Sequence, residues 1–167
     1  MERKTSFGPK SDVRKLVVLD GITRIDADYP DGVFSGYSSL LYVELPQSLR
    51  VVGANVFDGC NSLINIELPS VEVIGEDAFN GCISLTNIKS PSVEVIGRAA
   101  FEDCKSLTNI EIPVVTDIRN SAFRGCSSLT DVNLPLTECA EYAAFWDCSS
   151  LKNIDMPIAT EIGDSAF

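Results

Sequence analysis

The sequence predicts a solenoid of stacked, mainly β coils, and three observations predict it. Phe34, Phe57, Phe79, Phe101, Phe123, Phe145 and Phe167 recur in one step of 23 residues and five of 22. Their neighbours recur with them: AFNGCISLTNI begins at Ala78, AFEDCKSLTNI at Ala100, AFRGCSSLTDV at Ala122 and AFWDCSSLKNI at Ala144. Pro46, Pro69, Pro91, Pro113, Pro135 and Pro157 fall in one shared slot of the same period. Self-similarity at 20–50 residues is the mark of a solenoid, because one unit cannot bury its apolar side until copies stack on it.

The unit from Ala78 to Ala99 shows how each element arises. Ala78-Phe79 opens the coil, and a polar turn leads to Cys82. The stretch SLTNIKSP then reads as a short strand. Alternate side chains point to opposite faces, so Ile88 faces inward while Asn87 and Lys89 face solvent. Pro91 lacks a backbone donor and ends the pairing on its side. The chain returns through SVEVIG, with Val93 and Ile96 as core residues and Gly97 as the residue whose permissive dihedrals make a sharp turn. Stacked copies bring Leu over Leu and Phe over Phe. Parallel neighbours lie roughly 4.8 Å apart, so about seven coils make a rod of about 35 Å.

The combined pattern, C-x-S-L-x-x-I-x-x-P, then V-x-x-I-G, then A-F, resembles the BspA-like, or Treponema-type, leucine-rich repeats over about residues 33–167. The resemblance implies a right-handed solenoid with a parallel sheet on its concave side and short strands or helical turns on its convex side. It also implies a protein-binding role, since many members are surface proteins of bacteria and protozoan parasites. The pattern has departures. Tyr37 stands where later coils have cysteine, and Ile22 to Phe34 reads as half a coil with an insertion around Tyr29 and Pro30. Residues 1–15 read as a polar N-terminal segment and 16–167 as a single solenoid. The chain stops at the core dipeptide Ala166-Phe167, which reads as truncation within a repeat and predicts self-association through an uncapped C-terminal end.

Composition narrows the function classes. The 167 residues carry 45% hydrophobic residues, enough for one continuous core, and a formal net charge of −11. A chain so acidic is a poor ligand for nucleic acid or anionic membranes. No apolar run is long enough to span a bilayer, and no apolar signal-peptide core follows the polar first residues. The chain has no histidine, which removes most catalytic constellations. Acid pairs such as Glu76-Asp77 read as solvated surface. No enzymatic activity, metal or cofactor is expected.

Five of the six cysteines, Cys60, Cys82, Cys104, Cys126 and Cys148, are spaced 22 residues apart, three residues after a core Phe. They read as a buried column of reduced thiols. Neighbours are within disulfide reach, but parallel side-chain vectors are badly placed for the bond. The absence of C-x-x-C and of histidine argues against zinc. Cys139 lies off the column, in a slot held elsewhere by Val51, Val73, Val95, Asp117 and Glu161. It is either a tolerated small residue or an accessible thiol able to crosslink two molecules.

Two outward stripes follow from strand alternation: Tyr42, Asn65, Asn87, Asn109, Asp131 and Asn153, and beside them Glu44, Glu67, Lys89, Glu111, Asn133 and Asp155. The amides can form a hydrogen-bonded ladder along the sheet. Alternatively, the polar, acidic face is the recognition surface for a protein with a basic face. The segment LTECAEYAAFWDC departs most from the repeat. Tyr142 and Trp146 occupy slots that are mostly polar elsewhere, so they serve either as local packing beside the small Ala140 or as an exposed contact patch. The sequence thus reads as a non-enzymatic protein-binding module, and the family resemblance implies a microbial cell surface as its setting, in adhesion or host interaction. Its rival is an intracellular scaffold that spaces or assembles partner domains.

Overall fold

The computed structural model describes residues 9–26 and 32–167; the insertion read around Tyr29 and Pro30 lies outside them. The chain is a parallel β-solenoid of about five turns, and the described residues contain no helix. Each coil contributes two short strands. The three-residue strands are β1 (Lys15–Val17), β3 (Tyr42–Glu44), β5 (Asn65–Glu67), β7 (Asn87–Lys89), β9 (Asn109–Glu111), β11 (Asp131–Asn133) and β13 (Asn153–Asp155). The two-residue strands are β2 (Arg24–Ile25), β4 (Val51–Val52), β6 (Val73–Ile74), β8 (Val95–Ile96), β10 (Asp117–Ile118), β12 (Cys139–Ala140) and β14 (Glu161–Ile162). The seven strands of each kind correspond to the expected count of about seven coils, of which about five are complete turns. The count includes the partial coils at either end, and five coils carry the cysteine anchor.

Three coil-to-coil ladders hold the stack. The two-residue strands form one unbroken seven-stranded parallel sheet, β2-β4-β6-β8-β10-β12-β14. The Ala-Phe dipeptides make a second ladder, in which each Phe N–H donates to a carbonyl one coil on; Phe79 to Ala100 and Phe101 to Ala122 both measure 2.8 Å. The three-residue strands form a third that is interrupted twice, giving the sets β1-β3, β5-β7-β9 and β11-β13.

Stacking in register determines the core. The seven Phe rings lie one above the next, with centroids 5.1–5.9 Å apart and planes within 18° of parallel. Phe57, Phe79, Phe101, Phe123 and Phe145 are buried, as are Leu63, Leu85, Leu107 and Leu129. Leu151 is only partly covered, being packed on the core from one side. Tyr37, in the cysteine slot, is also buried and meets Phe34 edge-on at 6.0 Å.

The cysteine column is buried and unpaired, and its role exceeds packing. Each thiol donates to the carbonyl of a Phe in the preceding coil: Cys60 to Phe34 at 3.3 Å, Cys82 to Phe57, Cys104 to Phe79 and Cys126 to Phe101 at 3.2 Å, and Cys148 to Phe123 at 3.1 Å. Burial pushes the Cys60 thiol up to about 12 and Cys148 to about 11, and raises the three between them well above the usual thiol range.

The role expected of Gly97 is corrected. Gly97 is not among the residues with positive φ; the left-handed slots fall at Asn55, Asp77, Ala99, Ser121, Ala143 and Ser165, and at Gly36, Gly59, Gly81, Asp103, Gly125 and Asp147. A Cβ on Gly97 would instead lie 2.6 Å from the carbonyl carbon of Gly75 and 2.7 Å from the nitrogen of Glu76. Glycine is needed there for close approach between coils. Where the slot carries a side chain, the coils part: the N–H bonds of Gly75 and Gly97 to the preceding coil are both 2.8 Å, against 3.1 Å for Arg119 and 3.0 Å for Glu141.

Two predictions follow from this stacking. Gly97→Ala forces backbone apart and should cost about 1–3 kcal/mol in chemical denaturation, whereas Asp103→Gly, which relieves a left-handed residue, should be neutral or stabilising. A thiol whose folded pKa is raised stabilises the fold below its unfolded value, here near 9, and loses that contribution as pH rises through the folded value. Unfolding free energy should therefore fall above pH 9. Cys104→Val should flatten the decline by up to about 1.4 kcal/mol per pH unit, and an unchanged slope would refute the buried-thiol contribution.

Candidate functional site

The outward side chains of the three-residue strands share one face. The register places Tyr42 beside Lys15 in β1, then Asn65, Asn87 and Asn109 in line, and Asp131 beside Asn153. Glu44 lies beside Val17; Glu67, Lys89 and Glu111 are in line, and Asn133 lies beside Asp155. All twelve predicted positions from Tyr42 to Asp155 are exposed. Alternation delivers this pattern: the middle residue of each strand turns to the core and its two neighbours turn out.

The face is partly tied to itself. The Asn87 amide donates to Asn65 Oδ1 at 3.2 Å, the Thr86 hydroxyl donates to the same oxygen at 3.0 Å, and the Asn153 amide donates to Asp131 Oδ1 at 2.6 Å. That last contact is the main reason the Asp131 carboxyl titrates lower than usual. The amide ladder thus forms in two separate pairs, and Asn109 takes no part in it although β7 and β9 are paired. Lys15 pairs with Glu44 at 2.5 Å at the N-terminal margin, with both side chains more than half exposed, so the pair adds little stability.

The interruptions are specific. At an intact junction, backbone bonds on both flanks of the strand join the two coils, as in Thr108 N–H to Thr86 at 3.0 Å and Ser90 N–H to Glu111 at 3.0 Å. Between β3 and β5, and between β9 and β11, the corresponding N–H groups of Leu45 and Ile112 make no such bond. Each interruption opens a crevice. One of about 330 Å³ lies among Glu44, Leu45, Gln47, Ile66, Glu67 and Pro69. The other, of about 370 Å³, lies among Lys89, Pro91, Ile110, Glu111, Ile112, Pro113 and Asn133. The first coincides with the extra residue of the 23-residue step: Glu44 and Glu67 are 23 apart, whereas Val51 and Val73 pair at 22, which puts the insertion in the turn at Gln47 and Ser48. The second has no such signal in the sequence, and both crevices were missed by sequence reasoning.

Tyr142 and Trp146 lie elsewhere, in the turns that precede the cysteines. They are 56% and 45% exposed. With Arg124 and Ala143 they line a crevice of about 220 Å³. Arg124 is held by Glu102 one coil back at 3.2 Å. Cys139 is half-buried, with its sulfur 3.9 Å from Glu161 Oε2. Its partial burial and then the nearby Glu161, Glu141 and Asp117 raise its thiol above the usual range, so accessibility comes without activation. Among the described residues, no group of three or more His, Cys, Asp or Glu side chains is placed to hold a metal ion. No helix there is long and apolar enough to cross a membrane.

Comparison with known proteins follows the repeat geometry. The family model described as "BspA type Leucine rich repeat region" matches in six copies, over residues 4–93, 28–113 and 62–167. A leucine-rich-repeat protein of T. pallidum is similar at 31% identity and a TM-score of 0.81, covering 93% of this chain and 74% of that one. A leucine-rich-repeat protein from Bacteroides ovatus shares the fold at 24% identity and a TM-score of 0.71, over 94% of this chain and 46% of that one. No curated protein matches the chain. The matches span the 22-residue units that carry the phenylalanine, cysteine and proline columns, and the chain belongs to the BspA-type leucine-rich-repeat family.

Proposed function

We propose that this chain is a non-enzymatic module that binds a protein through the exposed face of its three-residue strands. One observation carries the reading. From β3 to β13 the outward positions are all exposed, in register within β5-β7-β9 and within β11-β13, and they hold the carboxylates Glu44, Glu67, Glu111, Asp131 and Asp155 against the single lysine Lys89. Such a face favours a partner with a basic surface, because complementary charge speeds encounter and rejects acidic competitors. Repeat proteins of this family are generally interaction modules, which supports the reading without naming the partner.

The proposed setting is a microbial cell surface, with a role in adhesion or host interaction, because BspA-type repeat proteins are typically surface-associated. The buried, unpaired thiols favour a second reading, an intracellular scaffold, since oxidising compartments favour disulfides. Protease shaving of intact producing cells separates the two: loss of the intact protein supports the surface reading, and protection supports the scaffold. The Tyr142–Trp146 crevice is proposed as a secondary contact, where an exposed aromatic pair beside Arg124 could anchor a partner.

Capture on the immobilised domain, followed by surface plasmon resonance with the purified partner, tests both surfaces. Charge reversal at Glu67 and Glu111 should slow association and reduce the dependence of its rate on salt. Trp146→Ala should act mainly on dissociation, speeding it by about tenfold or more if the ring is buried in the complex. Binding that ignores both changes would place recognition on another side of the solenoid.

A further inference from the structure

The crevice between β9 and β11 differs from the rest of the strand face. Like the opening between β3 and β5, it lies where the strand ladder is interrupted; Ile88, whose strand is bonded on both sides, is 1% exposed. Here the ladder is open and Ile110, at 7% exposed, lines the gap. Ile110, Ile112, Pro91 and Pro113 supply apolar walls, and the Ile112 N–H, freed from the neighbouring coil, faces the gap. A backbone donor left beside apolar surface favours a ligand that brings its own carbonyl. On the rim Glu111 stands beside its register partner Lys89 on one side of the opening, and the adjoining strand contributes Asn133, with Asp131 exposed two residues before it.

We propose that this crevice is a side-chain slot for an extended, basic segment of a partner protein. An apolar side chain of the segment enters between Pro91, Ile110 and Pro113. Flanking Lys or Arg side chains lie toward Glu111 and Asp131. The segment's backbone carbonyl accepts from the Ile112 N–H. The occupant is basic because the surrounding stripe and the whole chain, at −11, are acidic; it is apolar at one position because the slot's walls are. This inference rests on the strand face being the recognition surface. It adds that affinity there depends on a buried side chain as well as on charge.

The test uses the whole chain, labelled with nitrogen-15, and three synthetic pentapeptides: alternating Lys and Leu, alternating Lys and Ser, and alternating Glu and Leu. The Lys-Leu peptide should move the amide signals of Ile110, Ile112 and Asn133, and should bind at least about tenfold tighter than the other two. Raising salt should weaken it. Asn133→Phe, a crevice-filling change at an exposed position, should reduce its binding about tenfold at unchanged melting temperature. Asn153→Phe, elsewhere on the same face, should leave binding within about twofold. Equal binding of the Lys-Ser peptide on this face would overturn the slot while sparing the face. Peptide shifts confined to Tyr142 and Trp146, or no shift on the strand face with any peptide, would overturn both.

Discussion

The structure depends on the distance between coils. Three backbone ladders hold each turn about one strand spacing from the next, and every side chain must be compatible with a copy of itself at that distance. Phenyl rings satisfy the condition by lying flat on one another at 5.1–5.9 Å. Glycine satisfies it at Gly75 and Gly97, where a Cβ would meet the backbone of the preceding coil at 2.6 Å. Cysteine satisfies it with a thiol that is small enough to stack and still able to donate to the Phe carbonyl of the coil before it. One constraint thus accounts for three columns of unlike chemistry.

The same constraint shapes the surface. Charged side chains one coil apart are close enough to pair, so Arg98 reaches Glu76, Arg124 reaches Glu102 at 3.2 Å and Arg50 reaches Glu72 at 3.4 Å. These pairs are largely exposed and contribute little to stability, but they neutralise the basic residues on their own faces. The outward strand positions from β3 to β13 have only Lys89 against five carboxylates, with Lys152, just before the last strand, beside Asp131. The net charge of the chain is therefore expressed most plainly where the outward strand residues line up, and that gives a regular scaffold a polarity that a partner can read.

Regularity is also what makes the exceptions informative. The two-residue strands and the Ala-Phe ladder run through every described coil, so the stack is held even where the third ladder opens. An opening on one side alone leaves a crevice with apolar walls and a free backbone donor without unravelling the coil. Tyr142, Trp146 and Glu141 mark another exception, where Glu141 replaces the slot's glycine, lengthens the coil-to-coil bond to 3.0 Å and takes the Asn120 N–H on its carboxylate at 3.0 Å.

Much of this was legible in the sequence, because a solenoid is a local code read repeatedly. The period of the phenylalanines determined the stacking; strand alternation determined that Ile88 turns in while Asn87 and Lys89 turn out; the spacing of the cysteines determined a buried column. The left-handed backbone at Ala99 and Ala143 was not legible, since alanine advertises no such conformation and only the closure of the coil imposes it. Nor was the task of Gly97, which depends on how near the Gly75 backbone comes. The opening between β9 and β11 is the plainest case: the residues on either side keep the 22-residue step, so one-dimensional spacing is the same as at sealed junctions. Whether a backbone bond closes there is set by how one coil seats on another, and only the tertiary structure decides that.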